Sequence, residues 1–133
     1  MPRDRQGLRI LLIEPFFSGS HRRWAEGLQK HSRHQIELAT LPGRHWKWRM
    51  HGAAVTFAEK LKDKVNEYDL VLATDMLDIA TFRGLCPVKV PVIAYFHENQ
   101  LAYPWSATDP DTDLRRDRRY MWINMTSAMA ADQ

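Results

Sequence analysis

The sequence has little cysteine and no long apolar run. Cys86 is the one cysteine among 133 residues, which excludes an internal disulfide and the paired cysteines of a zinc finger. Because Cys86 precedes Pro87 beside a predicted strand, we interpret it as a buried structural thiol rather than a nucleophile. The apolar runs are only of strand length, and the opening "MPRDRQGLRI" lacks the apolar core of a signal peptide. We therefore expect a cytoplasmic protein with no membrane span.

Three familiar ligand motifs are also missing. Neither G-x-G-x-x-G nor G-x-x-x-x-G-K-[ST] occurs, so the usual NAD and ATP sites have no support. The zinc-protease pattern H-E-x-x-H fails because His97-Glu98 is followed by Leu101 where the second histidine would stand. The formal net charge of +3 permits a polyanionic partner but does not require one.

Four apolar segments alternate with four helical patterns along the chain. The predicted strands are residues 8–14, 35–40, 69–75 and 90–96, and the predicted helices start near Ser20 and cover 53–68, 76–85 and 114–132. Strands that alternate with helices favour right-handed crossovers and a parallel sheet. The sequence therefore predicts one α/β domain, a Rossmann-like doubly wound parallel sheet.

The sequence also predicts the structure of residues 41–52 and the apolar face of the last helix. Residues 41–52 are predicted to be irregular, because they contain Pro42, Gly43 and Gly52. In the last helix we expect one shared apolar face, formed by Leu114, Met121, Met125 and Ala128.

Polar residues follow the carboxyl end of each predicted strand, which is where ligands of such sheets bind. They are Ser18-Gly19-Ser20-His21, Arg44-His45-Trp46, Thr74-Asp75 and His97-Glu98-Asn99-Gln100. The turn "SGSH" is compatible with an anion site at a helix N-terminus and equally with a plain turn of small residues. His97 and Glu98 could bind a metal, act as general acid and base, or support a loop whose backbone Asn99 and Gln100 satisfy. We favour ligand contact, because the cluster stands at a strand's carboxyl end.

Two stretches are rich in basic residues, one interleaved with tryptophans and one near the start of a predicted helix. "RHWKWRMH", residues 44–51, interleaves cations with Trp46 and Trp48, which could stack on bases or simply pack on the core. "RRDRR", residues 115–119, places arginines near a helix N-terminus, where they oppose the helix dipole and suggest an outside partner. An RNA-binding module without enzymatic activity, using a loop at 44–51, is therefore the alternative to an enzyme.

Five segments in order resemble one known family. They are "LLIEPFFSGSHRRWAEGL", "LPGRHWKWRMHGAA", "LVLATDMLDIATFRGL", "PVIAYFHENQLAYPW" and "YMWINMTSAMAAD". Together they are similar to the N-terminal domain of the tRNA-queuosine α-mannosyltransferase family, which is related to the retaining family 4 glycosyltransferases. The resemblance runs from about Leu8 to Asp132.

The resemblance implies a GT-B glycosyltransferase that transfers mannose from GDP-mannose to queuosine in tRNA. Residues 1–133 would be its N-terminal, acceptor-side domain, cut before its last strands, with the donor domain absent and the isolated chain inactive. The family normally needs no metal, and we expect no cofactor besides the nucleotide sugar. An exposed sheet edge would invite self-association.

Site residues follow partly from the resemblance and partly from chemistry. The resemblance implies that Gly19 and Ser20 approach the donor phosphates and that His97 contacts the transferred sugar. Glu98 is expected to act with His97, while His21, Asn99 and Gln100 complete the donor and sugar site. Basic and aromatic chemistry, together with strand-end position, suggests an acceptor site formed by Arg44, Trp46, Trp48, Arg49, Thr74 and Asp75.

Overall fold

Four parallel strands form the sheet of this domain. The computed structural model describes residues 7–98, 100, 108–110 and 118–133. Within them the strands are β1 (Arg9–Phe17), β2 (Gln35–Pro42), β3 (Leu70–Thr74) and β4 (Val92–Tyr95). The spatial order is β2-β1-β3-β4, and each neighbouring pair is parallel. The predicted Rossmann-like α/β fold is therefore confirmed.

Helices cover both faces of the sheet. They are α1 (Gly19–His31), α2 (Trp46–Leu61), α3 (Ile79–Leu85) and α4 (Arg118–Ala130), with a short 3₁₀ turn at Val65–Glu67. Ile10 and Leu12 of β1 pack in one apolar cluster with Ala25 of α1. Leu11 and Ile13 pack in another with Phe57 and Phe82, from α2 and α3. Because side chains alternate along a strand, the unbroken apolar run of β1 is buried on both faces.

The prediction that residues 41–52 are irregular is wrong from Trp46 onward. The irregular segment is short: β2 ends at Pro42, and His45 adopts a left-handed φ of 55° just before α2 begins. Gly52 lies inside the helix, where a glycine costs only about 1 kcal/mol relative to alanine. The buried side chains of Met50 and Ala53 on either side favour the helix. The stretch 46–51 is therefore helical surface rather than a loop.

The apolar face predicted for the last helix is not the face that the helix buries. Met125 and Ala128 are exposed, and Leu114 lies outside the described residues. The buried side chains of α4 are Tyr120, Ile123, Asn124 and Ser127. Polar groups can take these buried positions because they find partners: Ser127 Oγ accepts a hydrogen bond from the Ile79 N–H at 3.0 Å.

The chain end lies along the outer edge of β4. Asp132 N–H donates to the Val92 carbonyl and Ala94 N–H donates to the Gln133 carbonyl, both at 2.8 Å. This edge is therefore partly hydrogen-bonded, and self-association through a sheet edge stays a prediction. Cys86 is buried as expected, and burial raises the pKa of its thiol. No helix among the described residues is long and apolar enough to cross a bilayer.

Candidate functional site

The candidate site lies where the order of the strands reverses. From β1 the chain moves to β2 on one side, and it then crosses back to β3 and β4 on the other. Such a reversal opens a crevice at the carboxyl ends of the two central strands, here β1 and β3. Glu14 near the end of β1, Asp75 just after β3 and His97 after β4 all reach this crevice.

Glu14 is the most deeply buried charged residue of the site, with 0% of its surface exposed. Its Oε1 accepts a hydrogen bond from the Phe16 N–H at 2.9 Å, and its Oε2 lies 3.1 Å from His21 Nδ1. Sequence reasoning missed Glu14. A signal was available, because Glu14 continues the alternation of Ile10 and Leu12 toward α1, the helix that carries His21.

The His97 ring packs against three other side-chain rings beside the Glu14 carboxylate. Its ring centroid lies 4.2 Å from that of His21, 4.8 Å from that of Trp24 and 5.1 Å from that of Tyr95. Its Nε2 atom is 4.0 Å from Glu14 Oε2 and is buried without a hydrogen-bond partner among the described residues. Buried ring nitrogens are normally paired, so this atom could exchange a hydrogen bond with a polar ligand atom.

Asp75 and Asn124 hold the turn after β4 in place. Asp75 Oδ1 accepts a hydrogen bond from the His97 N–H at 3.2 Å. Asn124 of α4 donates to the Asp75 carbonyl at 3.0 Å, and its own Oδ1 accepts from the Gln100 N–H at 2.9 Å. Two further buried atoms, Thr74 Oγ1 and Gln100 Oε1, have no hydrogen-bond partner among the described residues. Several buried polar groups near the carboxyl ends of β3 and β4 could therefore contact a ligand.

The pKa values of the two histidines are shifted in opposite directions. Burial by itself would lower the pKa of His21, but the hydrogen bond and charge of Glu14, with Asp75 and Glu98, raise it above its usual value. Burial and the neighbouring His21 lower the pKa of His97. Burial raises the pKa of Asp75 to about 6, and the Glu14 carboxylate adds to that rise. Pairs of groups whose pKa values are driven apart are typical of sites that move or hold protons.

Three side chains of this cluster could also hold a metal ion. One ligand atom from each of Glu14, His21 and His97 lies within 4.8 Å of the other two. Glu14 and His21 already satisfy each other by a direct hydrogen bond, so the arrangement does not need an ion to explain it. The expectation that no metal is required stays a prediction.

The predicted donor residues occupy the start of α1 and the turn after β4. Gly19 has a φ of +53°, a conformation that favours glycine, and the space where a side chain would project is open. Ser20 and Glu98 are exposed, while His21 and Gln100 are buried in the cluster described above. Asn99 lies outside the described residues.

The residues predicted to bind an acceptor do not form one group. Thr74 and Asp75 belong to the His97 crevice. Trp46 is half-buried and packs on Tyr120 of α4 with ring centroids 5.0 Å apart, whereas Trp48 is 75% exposed. The remaining two arginines lie nearby: Arg44 is exposed, and Arg49 donates to the Pro42 carbonyl at 3.3 Å.

Phe16 links the two regions. Its ring meets that of His21 edge-on with centroids 5.8 Å apart, and it also packs in the apolar cluster that includes Trp46. Phe16 therefore contacts both the His97 crevice and the apolar cluster beneath the start of α2.

The fold and the crevice define a Rossmann-like domain with a cluster of buried polar residues at the carboxyl edge of its sheet. The family described as tRNA-queuosine alpha-mannosyltransferase N-terminal matches residues 9–133. A tRNA-queuosine alpha-mannosyltransferase of Drosophila melanogaster is 35% identical over 126 residues, which cover 92% of this chain and 32% of that relative. The chain belongs to the tRNA-queuosine alpha-mannosyltransferase N-terminal family, and it spans about a third of the length of the curated relative it matches.

Proposed function

We propose that this domain is the N-terminal, acceptor-side part of a retaining GT-B glycosyltransferase that transfers mannose from GDP-mannose to queuosine in tRNA. The family membership supports a tRNA-modifying glycosyltransferase. The observation that carries the proposal is the buried, unpartnered Nε2 of His97 beside Glu14, at the edge where such sheets bind ligands. Mannose, GDP and the absence of a metal requirement are parts of this proposal.

The proposed reaction requires the protein to stabilise a departing diphosphate while the sugar gains oxocarbenium character. The bond from the anomeric carbon to the phosphate oxygen breaks, a bond from that carbon to the acceptor oxygen forms on the same face of the sugar, and the acceptor hydroxyl proton passes to the departing phosphate. The N-terminus of α1, with Gly19 and Ser20, offers backbone N–H groups to the negative charge that develops on the phosphate. His97 Nε2 orients the sugar through one of its hydroxyls, and Glu14, His21 and Asp75 hold the imidazole in place.

The direct test is the His97→Ala variant of the full-length protein. We expect its turnover with GDP-mannose and queuosine-containing tRNA to fall about a hundredfold or more, the size typical of losing one positioned polar contact in the transition state. His31→Ala is the matched control, because His31 is an exposed histidine in the last turn of α1. Turnover of His97→Ala equal to that of the control would remove His97 from the site. A full-length protein that transfers no sugar to this tRNA would overturn the proposed function itself.

A second candidate is an RNA-binding module without enzymatic activity. The observation in its favour is the 75% exposed indole of Trp48, beside the cations of α2. Exposed aromatic rings among cations are typical of single-stranded nucleic-acid binding. RNA binding by the full-length protein with no sugar transfer would select this candidate over the enzyme.

A further inference from the structure

An open pocket of about 410 Å³ lies between α2, α3 and α4, and its lining shares no residue with the His97 cluster. It is lined by His51, Asp78, Arg118, Arg119, Trp122 and Ile123. None of these side chains takes part in the chemistry proposed above. The pocket therefore needs its own explanation.

The cationic part of this pocket extends beyond the carboxyl edge of the sheet. Helix α4 runs antiparallel to the strands: Asn124 bonds to Asp75 at the end of β3, and Asp132 bonds to Val92 at the start of β4. At a rise of 1.5 Å per residue, Arg118 and Arg119 lie roughly 8 Å farther along the helix than Asn124. They are thus at the same end of the domain as the His97 crevice.

The positions of Arg118 and Arg119 are not explained by folding. Both side chains are exposed, and neither has an ion pair among the described residues. Asp78 is the acidic residue among those that line the pocket; it caps α3, accepts hydrogen bonds from Thr81 N–H at 3.1 Å and Thr81 Oγ1 at 2.7 Å, and forms no ion pair with either arginine.

Trp122 provides a large flat surface beside these two cations. It follows Arg118 by four residues and Arg119 by three, so all three side chains share one side of the helix. It is 62% exposed, although an indole usually buries most of its surface in a folded domain. Two guanidinium groups next to an exposed indole match a nucleotide chain, in which phosphates alternate with flat bases.

We propose that this pocket, which we call the α4 pocket, is a docking surface for the single-stranded part of the RNA acceptor. Arg118 and Arg119 bind two phosphates, and Trp122 stacks on an unpaired base. Such an arrangement suits a loop of RNA, where bases are unstacked and available to aromatic side chains. The proposal rests on the proposed function, since it takes the acceptor to be tRNA, and it assigns docking to α4 rather than to residues 44–49.

The test measures RNA affinity of the full-length protein at several salt concentrations. The probe is a labelled anticodon-arm RNA that contains queuosine. For Arg118→Gln/Arg119→Gln we expect about a tenfold or greater loss of affinity and a salt slope smaller by about 1.4, which is about 0.7 for each lost single-strand phosphate contact. For Trp122→Ala we expect a loss of fivefold or more, as for other stacked bases.

One control variant separates docking at α4 from a general effect of charge. Lys60→Gln/Lys62→Gln removes the same charge from exposed residues near the C-terminal end of α2. We expect this control to keep affinity within about threefold of wild type, and Arg118→Lys/Arg119→Lys to recover most of the salt slope because it keeps both charges. Trp48→Ala, which removes the other strongly exposed indole, tests the competing RNA site on α2.

Several outcomes overturn the proposal. The first is an unchanged RNA affinity and salt slope in the Arg118→Gln/Arg119→Gln variant. The second is a loss of RNA affinity in the Lys60→Gln/Lys62→Gln control that equals the loss in the arginine variant. The third is a loss of RNA affinity in Trp48→Ala alone. If Trp122→Ala has no effect and heparin competes as well as RNA, the α4 pocket is a general anion site and base stacking is wrong.

The assay also separates this proposal from the proposed function. Sugar transfer to tRNA with an unchanged KM in the arginine variant would remove the docking surface and leave the function standing. RNA binding through α4 without any sugar transfer would support the docking surface and overturn the proposed function.

Discussion

Asp75 shows how an individual residue of the crevice is held at a cost to stability. Its carboxyl is buried beneath the turn after β4, and burial raises its pKa to about 6. It keeps its place because it accepts the His97 N–H and so positions the backbone that carries the imidazole. A buried carboxylate that resists ionisation is more typical of a functional site than of a position selected for stability.

The pH dependence of stability checks this assignment. A carboxyl with a folded-state pKa of about 6 and an ordinary pKa of 3.8 contributes stability that is full below pH 4 and is lost as the pH rises to 6. At 1.36 kcal/mol per pKa unit, replacing it by a neutral amide should raise the free energy of unfolding by about 3 kcal/mol at pH 7.5 and hardly change it at pH 4. Urea unfolding of Asp75→Asn at both pH values measures this difference. Asp63→Asn, at an exposed position, is the control; the same pH-dependent gain there would argue against burial as the cause.

At the scale of elements, the turns after β1 and β2 are brought into close contact. A Cβ built on Gly43 would lie 2.0 Å from Ser18 Cβ and 2.9 Å from the Ser18 backbone nitrogen. Ser18 immediately precedes α1, so the absence of a side chain at Gly43 allows the "SGSH" turn to sit where it does. The position of the helix that carries His21 therefore depends on a glycine in a neighbouring turn.

The same substitution at two glycines should have opposite effects. Gly43→Ala forces a clash with backbone that cannot move away, and we expect a loss of about 2 kcal/mol in the free energy of unfolding. Gly27→Ala lies inside α1 with nothing within 4 Å of the new Cβ, and we expect a gain of about 0.5 kcal/mol or more from the better helix propensity of alanine. Thermal or urea unfolding of both variants measures the signs. A neutral Gly43→Ala would mean that the two turns can separate freely.

At the scale of the whole molecule, the crevice supplies one wall of the proposed site. In a GT-B enzyme a second domain faces this wall and holds most of the sugar nucleotide. The chain spans 32% of the length of its curated relative, which is consistent with our proposal that the donor side lies outside residues 1–133. The charge of the departing diphosphate would then be only partly stabilised by α1.

We therefore expect the 133-residue chain by itself to transfer no sugar. The measurement compares mannose incorporation into queuosine-containing tRNA by this chain and by the full-length protein at equal concentration. Circular dichroism of the isolated chain provides the control for folding. Turnover by a folded 133-residue chain would contradict the need for a second domain and would place the whole site on this sheet.

Much of the fold was predictable because its signals are local. The apolar runs at β1 and β3 and the helical repeat of Ala54, Phe57 and Leu61 each reflect neighbours in sequence, and all three of those helical residues are buried. The site was predictable only in part. His21, Asp75 and His97 were expected at the carboxyl edge and are there, whereas Glu14 was missed because a glutamate within a strand says little until its neighbours are known.

The sequence by itself determined the alternation of strands and helices, and with it a parallel sheet whose polar residues gather at one edge. Only the tertiary structure decided which of those residues meet. The order β2-β1-β3-β4 places Glu14 beside Asp75, and the rotation of α4 buries Asn124 while turning Trp122 outward. The physical reason is that periodicity follows from local backbone geometry, whereas strand order and helix rotation depend on packing and hydrogen bonds between residues far apart in the chain.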